Sequence, residues 1–308
     1  MVLNLFGERV SETPLQLLLA AVRASYLGSV SVALASLVVA WLLLPASLDG
    51  VGALRRRLLW LCHCCLPLAM LLAVGWWPLI GVQMTGVETL GEVRPYLEVI
   101  LFQTFFGGEL RVRLALLALA WVLVALACWS RLNVVVKELR GAALVVLALV
   151  ALLQPMMGHG ASIAPGYLWP MTVHVLAAAL WLGSLPGLLI GCILAPSAAG
   201  VMLSRFSLLG MGCVVALLIS GLFQSAALVG SWEALFNTSY GVLVLLKGIL
   251  FLGLLALAAI NRFCWLARAE HSPGGLRVTL GIEILLGCAM LLAAALLAGQ
   301  PPPGHMGH

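Results

Sequence analysis

The sequence predicts an all-α integral membrane protein with about eight transmembrane helices in two tandem parallel four-helix repeats. Three observations predict this fold class. Apolar residues make up 63% of the 308 residues and charged residues only 9%, and a soluble domain of this length needs far more charge to cover its surface. The other two observations are the long apolar segments and a set of landmarks that recurs in both halves.

The apolar residues fall into eight segments. At about 20 residues each, these segments are long enough to cross the hydrocarbon as helices. The fourth has the shortest clean apolar run and ends at Gln154-Pro155. Residues 86–108 are expected to form a plain loop, or an interfacial or re-entrant helix. The predicted spans lie near residues 24–45, 58–80, 112–130, 140–157, 167–193, 205–229, 241–264 and 276–298.

The basic residues predict the orientation, because lysine and arginine are enriched in cytoplasmic connections. Ten lie in the odd-numbered connections and five on the opposite side, and Lys247 lies within a span. The odd-numbered connections are therefore expected in the cytoplasm and both termini outside. The ten are Arg55, Arg56, Arg57, Arg131, Lys137, Arg140, Arg205, Arg262, Arg268 and Arg277.

Three ordered landmarks predict the repeat. "LLLPAS" (42–47) closes span 1 and "ILAPSA" (193–198) closes span 5. "TFFG" (104–107) precedes Arg113, and "TSYG" (238–241) precedes Lys247 at the same spacing. "QPMMGHG" (154–160) and "QPPPGHMGH" (300–308) follow spans 4 and 8. Because four spans is an even number, the halves run parallel. We expect one membrane domain, with repeats near 15–160 and 165–308.

Methionine and histidine gather at the outward helix ends. Thioether and imidazole together suit copper, especially Cu(I), and an ionisable side chain within a span, such as His174, is a functional candidate by default. The repeat places a cluster after span 4 and another after span 8 on the same side of the membrane. The predicted metal ligands are Met156, Met157, His159, Met171, His174, His305, Met306 and His308.

The inner side of the membrane carries thiols. The stretch "CHCC", comprising Cys62, His63, Cys64 and Cys65, is a possible inner acceptor for a soft ion. Its spacing matches no zinc motif. Lys247 and Glu283 also lie within spans, where they could pair across helices or line an ion or proton path.

Three stretches carry a resemblance to a known family. They are "GHG" (158–160), "HVLAAALWLG" (174–183) and "TSYGVLVLLKGILFLGLLALAAINRF" (238–263). Over essentially its whole length the chain resembles the CopD/PcoD family of bacterial copper-resistance inner-membrane proteins. The resemblance implies that copper moves into the cytoplasm with the help of a separate periplasmic copper-binding protein of the CopC/PcoC type. It marks His159 and His174 as copper-related, and it includes the further motif positions Trp181, Gly183, Gly241, Lys247 and Asn261.

The function predicted from these observations is copper transport from periplasm to cytoplasm as part of copper resistance and homeostasis. The outward Met/His groups would capture a copper ion, which is bound or transported. No ATP-binding signature is present, and we do not expect an enzyme. One alternative is a b-type haem cytochrome or quinone-linked oxidoreductase with His63, His159 or His174 as axial ligands. A second is a copper receptor that only docks the periplasmic partner.

Overall fold

The computed structural model describes residues 14–44, 51–130, 133–157, 168–266 and 274–303. These residues form helices and connecting turns, with no strand among them. The α-helices are α1 (Pro14–Val38), α2 (Val51–Thr85), α3 (Leu90–Val93), α4 (Leu97–Gln103), α5 (Phe105–Trp129), α6 (Asn133–Leu152), α7 (Leu168–Leu194), α8 (Pro196–Val229), α9 (Trp232–Asn237), α10 (Ser239–Ile260) and α11 (Gly274–Leu297). A π-helical turn extends α1 over Val39–Leu43, and another extends α10 over Asn261–Trp265.

The predicted fold class is confirmed. Seven of the helices in the described part of the chain are long and apolar enough to cross a membrane, namely α1, α2, α5, α7, α8, α10 and α11. Each predicted span has a long helix, and most of these helices begin earlier than predicted. Helix α6 corresponds to the fourth span and carries Lys137, Glu138 and Arg140 in its first half. Eight crossings in two repeats remain a prediction.

Helices α1 and α7 pack against each other at the centre of the bundle. They approach closely because Gly183 faces the α1 backbone, where a Cβ would overlap the carbonyl group of Ser31. Ala33 and Ala35 on α1 are completely buried. Small residues at a crossing let two transmembrane backbones come together, and the gain is van der Waals packing. Gly183 is therefore a packing position.

The two ends of the bundle carry different polar side chains. At one end, Gln16 from the start of α1 and Gln300 just after α11 line the same cavity. We call this the terminal end. At the opposite end, Arg55 donates to the carbonyl oxygens of Ala40 (3.1 Å) and Leu44 (2.9 Å), and Arg277 donates to the carbonyl oxygen of Cys192 (2.8 Å). A cation at a helix C-terminus satisfies free carbonyls and complements the helix dipole.

The "TFFG" and "TSYG" landmarks fold into the same junction. Thr104 accepts from the backbone N–H of Gly107 (3.1 Å) and donates to the Ile100 carbonyl. Thr238 accepts from the N–H of Gly241 (3.0 Å) and donates to the Ala234 carbonyl. A Cβ on either glycine would overlap backbone carbonyls of the preceding short helix. Each threonine thus caps a long helix, and Gly241 is fixed by this close approach.

Residues 86–108 form no span. Their α-helices, α3 and α4, have four and seven residues, which is too short to cross the hydrocarbon. Val93 and Ile100 are buried against α2, where they face Gly81. The segment therefore covers the terminal end with short helices and is not a plain loop; its interfacial or re-entrant placement in the membrane remains a prediction.

Candidate functional site

His174 lies inside the bundle near the terminal end. It is six residues into α7, which is about 9 Å along the helix axis. Its ring atom Nδ1 lies 2.9 Å from the hydroxyl oxygen of Ser220 on α8. The ring packs over Gly221, where a Cβ would touch Cε1 at 3.6 Å. A Cβ at position 221 would therefore make ordinary van der Waals contact with the imidazole, which shows how closely α8 lies to the ring.

Ser220 sets the hydrogen-bonding state of this imidazole. Its hydroxyl donates to the carbonyl oxygen of Ala216 at 2.5 Å, and the residue is only 4% exposed. Because a hydroxyl has one hydrogen, its oxygen is left to accept from Nδ1–H of His174. This pairing favours the neutral tautomer that carries hydrogen on Nδ1. Nε2 then keeps its lone pair, which is the state in which histidine binds metals.

The neighbours of His174 are a cation and an apolar cluster. Lys247 on α10 is close enough to interact electrostatically with the imidazole. Met171 lies one turn earlier on α7, where it packs against Leu228, Val229 and Tyr240. The structure thus brings one imidazole, one amine and one thioether to the same end of the second half.

The remaining predicted outward ligands are only partly within the described residues. The turn Gln154–Met157 packs with its backbone against α7, the helix of Met171 and His174. The side chains of Met156 and Met157 lie outside the described part, as do the whole residues His159, His305, Met306 and His308. Their role as copper ligands remains a prediction.

The first half has a buried polar cluster around Arg113, which lies at the repeat position of Lys247. Arg113 is 1% exposed. It donates to the carbonyl oxygen of Leu153 (2.6 Å) and to Oε1 of Gln154 (3.3 Å), and it pairs with Glu109 at 3.7 Å. Nε2 of Gln154 donates in turn to the Tyr26 hydroxyl (3.1 Å). Sequence reasoning missed this cluster, although the recurring Gln-Pro was a signal for Gln154.

The repeat landmarks relate these two polar groups position by position. Alignment of Pro45 with Pro196 puts Arg23 at the place of His174. Gly86 and Gly230 follow α2 and α8 and both have a positive φ, 72° and 76°. Alignment of these glycines puts Trp76 at the place of Ser220.

The contacts agree with that alignment. The Arg23 guanidinium lies 5.5 Å from the centre of the Trp76 ring, just as His174 meets Ser220. Arg23 also interacts electrostatically with Arg113, as His174 does with Lys247. Two equivalent places therefore hold different chemistry, guanidinium groups in one half and an imidazole with an amine in the other.

The four residues of "CHCC" point in different directions around α2. Cys62 is completely buried, whereas Cys64 is exposed. His63 stacks on Trp121 with ring centres 5.5 Å apart, and Trp60 and Trp129 also contact it. Within the described residues, no three His, Cys, Asp or Glu side chains converge as a metal site. Cys128 on α5 lies near Cys62.

Trp181 and Asn261 have packing and polar contacts of their own. Trp181 is 4% exposed and meets Phe251 edge to face at 5.9 Å. Asn261 begins the π-helical turn after α10, where its side chain bonds with Thr279 and Glu283 on α11. The suggested pairing of Lys247 with Glu283 is not formed. In the part of the chain that the structure describes, the ion pair present is Glu109–Arg113.

These observations define a class of protein. It is a multi-pass, all-helical membrane protein that keeps an oriented imidazole and buried basic side chains between its helices. Residues 14–169 match the family of the Copper resistance protein D-like N-terminal domain, and residues 200–297 match the family of Copper resistance protein D. The chain belongs to the copper resistance protein D family, so its function in the membrane is related to copper.

One relative of stated function is similar to part of the chain. The Copper transport protein CutJ of Bacillus subtilis (strain 168) is 30% identical over 42% of this chain. That match covers 25% of the relative, so the chain spans about a quarter of its length. No solved structure matches the chain. The family is one of copper transport and resistance and is not known as an enzyme family.

Proposed function

We propose that this protein transports copper across the bacterial inner membrane, from the periplasm to the cytoplasm. The observation that carries the proposal is the His174–Ser220 pair. A neutral imidazole inside a membrane bundle is costly unless a partner offsets its burial. Here Ser220 lies within hydrogen-bond distance of Nδ1, and the backbone of Leu217 also bonds with the ring, so the imidazole is held in place by α8. Nε2 is the atom that we assign to copper.

The hydroxyl behind the imidazole acts as the outer shell of such a site. In metal sites the second ring nitrogen of a histidine commonly donates to a carboxylate, a carbonyl or water, which fixes the tautomer and the ring plane. Ser220 fills that place and is itself fixed by Ala216. Met171 from the previous turn adds a soft thioether on the same helix. Imidazole with thioether suits copper better than hard cations.

Lys247 favours the release of copper from His174 over its retention there. Its ammonium group interacts with His174, and a positive charge near a copper ion weakens binding. A translocation site must bind strongly enough for an ion to arrive and weakly enough for it to leave. The amine at this motif position therefore shortens the time that copper spends on His174.

Capture precedes His174 in this scheme. The turn with Met156 and Met157 lies against α7, and His159 follows it in the sequence. With His305, Met306 and His308 after α11, these residues form the outward Met/His group that takes copper from a periplasmic protein of the CopC/PcoC type. Of the possible inner acceptors Cys62, His63, Cys64 and Cys65, the exposed thiol of Cys64 is the one that we propose receives copper, because the four side chains do not converge. A membrane potential that is negative inside favours cation entry by about 2.3 kcal/mol per charge per 100 mV, so uptake needs no ATP.

The central experiment is copper uptake into proteoliposomes with and without an imposed potential, negative inside. Wild-type protein is expected to accumulate copper faster with the potential. His174→Ala is expected to abolish uptake while membrane insertion stays normal. His271→Ala, which removes an imidazole from the connection after α10, is the matched control and is expected to transport normally. A variant of His174 that is poorly expressed but transports normally per molecule would remove His174 from the path.

The orientation has its own test. A membrane-impermeant thiol reagent is expected to label Ser162→Cys from outside, but not Ser272→Cys, when each is compared with the parent chain. The reverse pattern would place the Met/His group in the cytoplasm and would exclude uptake by this route.

A further inference from the structure

The terminal end of the first half contains a cavity of about 240 Å³ between α1, α2 and α11. Arg23, Gln83 and Gln300 supply polar groups to its wall, and Gln16 adds another amide. The rest of the wall is largely apolar and includes Trp76 and Phe106. The cavity belongs neither to the His174 site nor to the Met/His group.

The charge around this cavity is unbalanced. Arg113 behind it has its own partner, because Glu109 lies 3.7 Å away. Arg23 has no acidic partner within ion-pair distance among the described residues, and Arg113 repels it. A partly buried guanidinium is costly without an anion or a polar contact. Cζ of Arg23 lies over the Trp76 ring, 5.5 Å from its centre, and Arg23 also lines the cavity, where its N–H groups can donate to a ligand.

We propose that this cavity binds a phosphate oxyanion through Arg23, as the head group of a phospholipid or as free phosphate. The guanidinium edge matches two phosphate oxygens at once. The amide groups of Gln83 and Gln300 add N–H donors around the same space. Such a site repels cations, and it is the first-half counterpart of the place that holds His174 in the second half. The inference stands apart from copper transport and is tested without copper.

The experiment uses the full chain in detergent, with binding measured by native mass spectrometry and by thermal unfolding at constant ionic strength. The probes are inorganic phosphate, dioctanoyl phosphatidylglycerol, and dioctanoylglycerol, which has the same acyl chains without phosphate. One tight copy of a phosphate-bearing probe is expected, and dioctanoylglycerol is expected to bind at least tenfold more weakly. Binding of the phospholipid alone identifies a lipid site. Equal affinities for inorganic phosphate and the phospholipid identify free phosphate.

The variants separate Arg23 from general surface charge. Arg23→Gln is expected to weaken binding of the favoured probe by about 10- to 100-fold, the loss typical of a hydrogen bond to a charged group. Arg111→Gln is the matched control, because Arg111 lies over the Phe102 ring at the same end but outside the cavity. That variant is expected to bind normally.

Three results would overturn the proposal. They are equal affinity for phosphatidylglycerol and dioctanoylglycerol, wild-type affinity in Arg23→Gln, and no binding of either phosphate-bearing probe. If Arg23→Gln fails to fold, Arg23→Lys decides the matter. It keeps the charge but not the two-point contact, so binding a few-fold weaker supports the site and unchanged affinity excludes it.

Discussion

The two halves of this membrane bundle share several local features and differ in their buried polar groups. Thr104 and Thr238 each cap a long helix in the same way, and Gly86 and Gly230 each follow a long helix with a positive φ. In the first half, a hydrogen-bonded network links Arg113 to Leu153 and Gln154. In the second half, His174 is oriented by a serine and faces an amine. The first half therefore holds Arg113 in a hydrogen-bonded network, and the second half holds the imidazole to which we assign copper.

The two halves also differ in how closely their helices pack. Helix α2 packs closely on α5, whereas the equivalent helices α8 and α10 hardly meet. A shallow surface groove runs between α7 and α8, lined by residues that include Val173, Ala177 and Cys213. Looser packing costs stability but leaves room for small movements of neighbouring helices, which passage of an ion requires. The comparison therefore shows closer packing between the second and third long helices of the first half than between α8 and α10.

The largest expected effect comes from replacing Arg113 and Lys247, which occupy matching positions in the predicted repeat, with methionine. Arg113→Met leaves Glu109 and Gln154 without their partner, so we expect a loss of about 3–5 kcal/mol in the free energy of unfolding. Lys247→Met has no such network to break and is expected to cost little stability. Unfolding in mixed detergent, followed by circular dichroism, measures both. Equal losses would show that Lys247 is as much a structural residue as Arg113.

The same two variants are also expected to differ in copper transport. Lys247→Met removes the cation beside His174, so copper is expected to bind more tightly and to turn over more slowly. Uptake into proteoliposomes over a range of copper concentrations checks this, with a lower half-saturation concentration and a lower maximal rate expected. A higher maximal rate would contradict the role of the amine in release.

The next effect concerns the hydroxyl behind the imidazole. Ser220→Ala removes the acceptor of Nδ1–H and is expected to weaken copper binding or uptake by about 10- to 100-fold, as the loss of an outer-shell partner does. Ser184→Ala is the matched control. Ser184 is a fully buried serine that donates to the carbonyl oxygen of Leu180 (2.6 Å) but meets no histidine. A similar effect of both substitutions would mean that only helix packing was disturbed.

A smaller effect is expected at the two glutamines of the repeat. Gln154→Leu breaks bonds to Arg113 and to the Tyr26 hydroxyl, which leaves buried polar atoms unpaired. We expect a loss of about 1–3 kcal/mol. Gln300→Leu is expected to change the free energy of unfolding by less than about 0.5 kcal/mol, because Gln300 only lines a cavity. Both variants are measured by unfolding in mixed detergent. If they lose the same free energy of unfolding, the network around Arg113 does not stabilise the bundle.

Much of this architecture could be predicted from the sequence. Apolar length predicts each long helix, and the "TFFG" and "TSYG" landmarks predict two junctions that proved to share their hydrogen bonds. The polar contacts could not be predicted in the same way. Tyr26 and Gln154 are 128 residues apart, and their meeting depends on how α1 and α6 pack. Glu283 was a candidate partner for Lys247, yet the π-helical turn brings Asn261 to it instead.

The smallest expected effect concerns the threonine helix caps that occur in both halves. Thr104→Ala and Thr238→Ala each remove a hydroxyl that accepts from the third residue of a long helix. Loss of such a cap costs about 1 kcal/mol, and because the two junctions have the same geometry we expect equal losses in the free energy of unfolding. Thr279→Ala is a useful third variant, since this threonine lies inside α11 and bonds Asn261 without capping a helix. If the double variant Thr104→Ala/Thr238→Ala loses the sum of the single effects, the junctions act independently, as distant sites do. A clearly unequal cost of the two single changes would show that the shared scaffold is not energetically equivalent in the two halves.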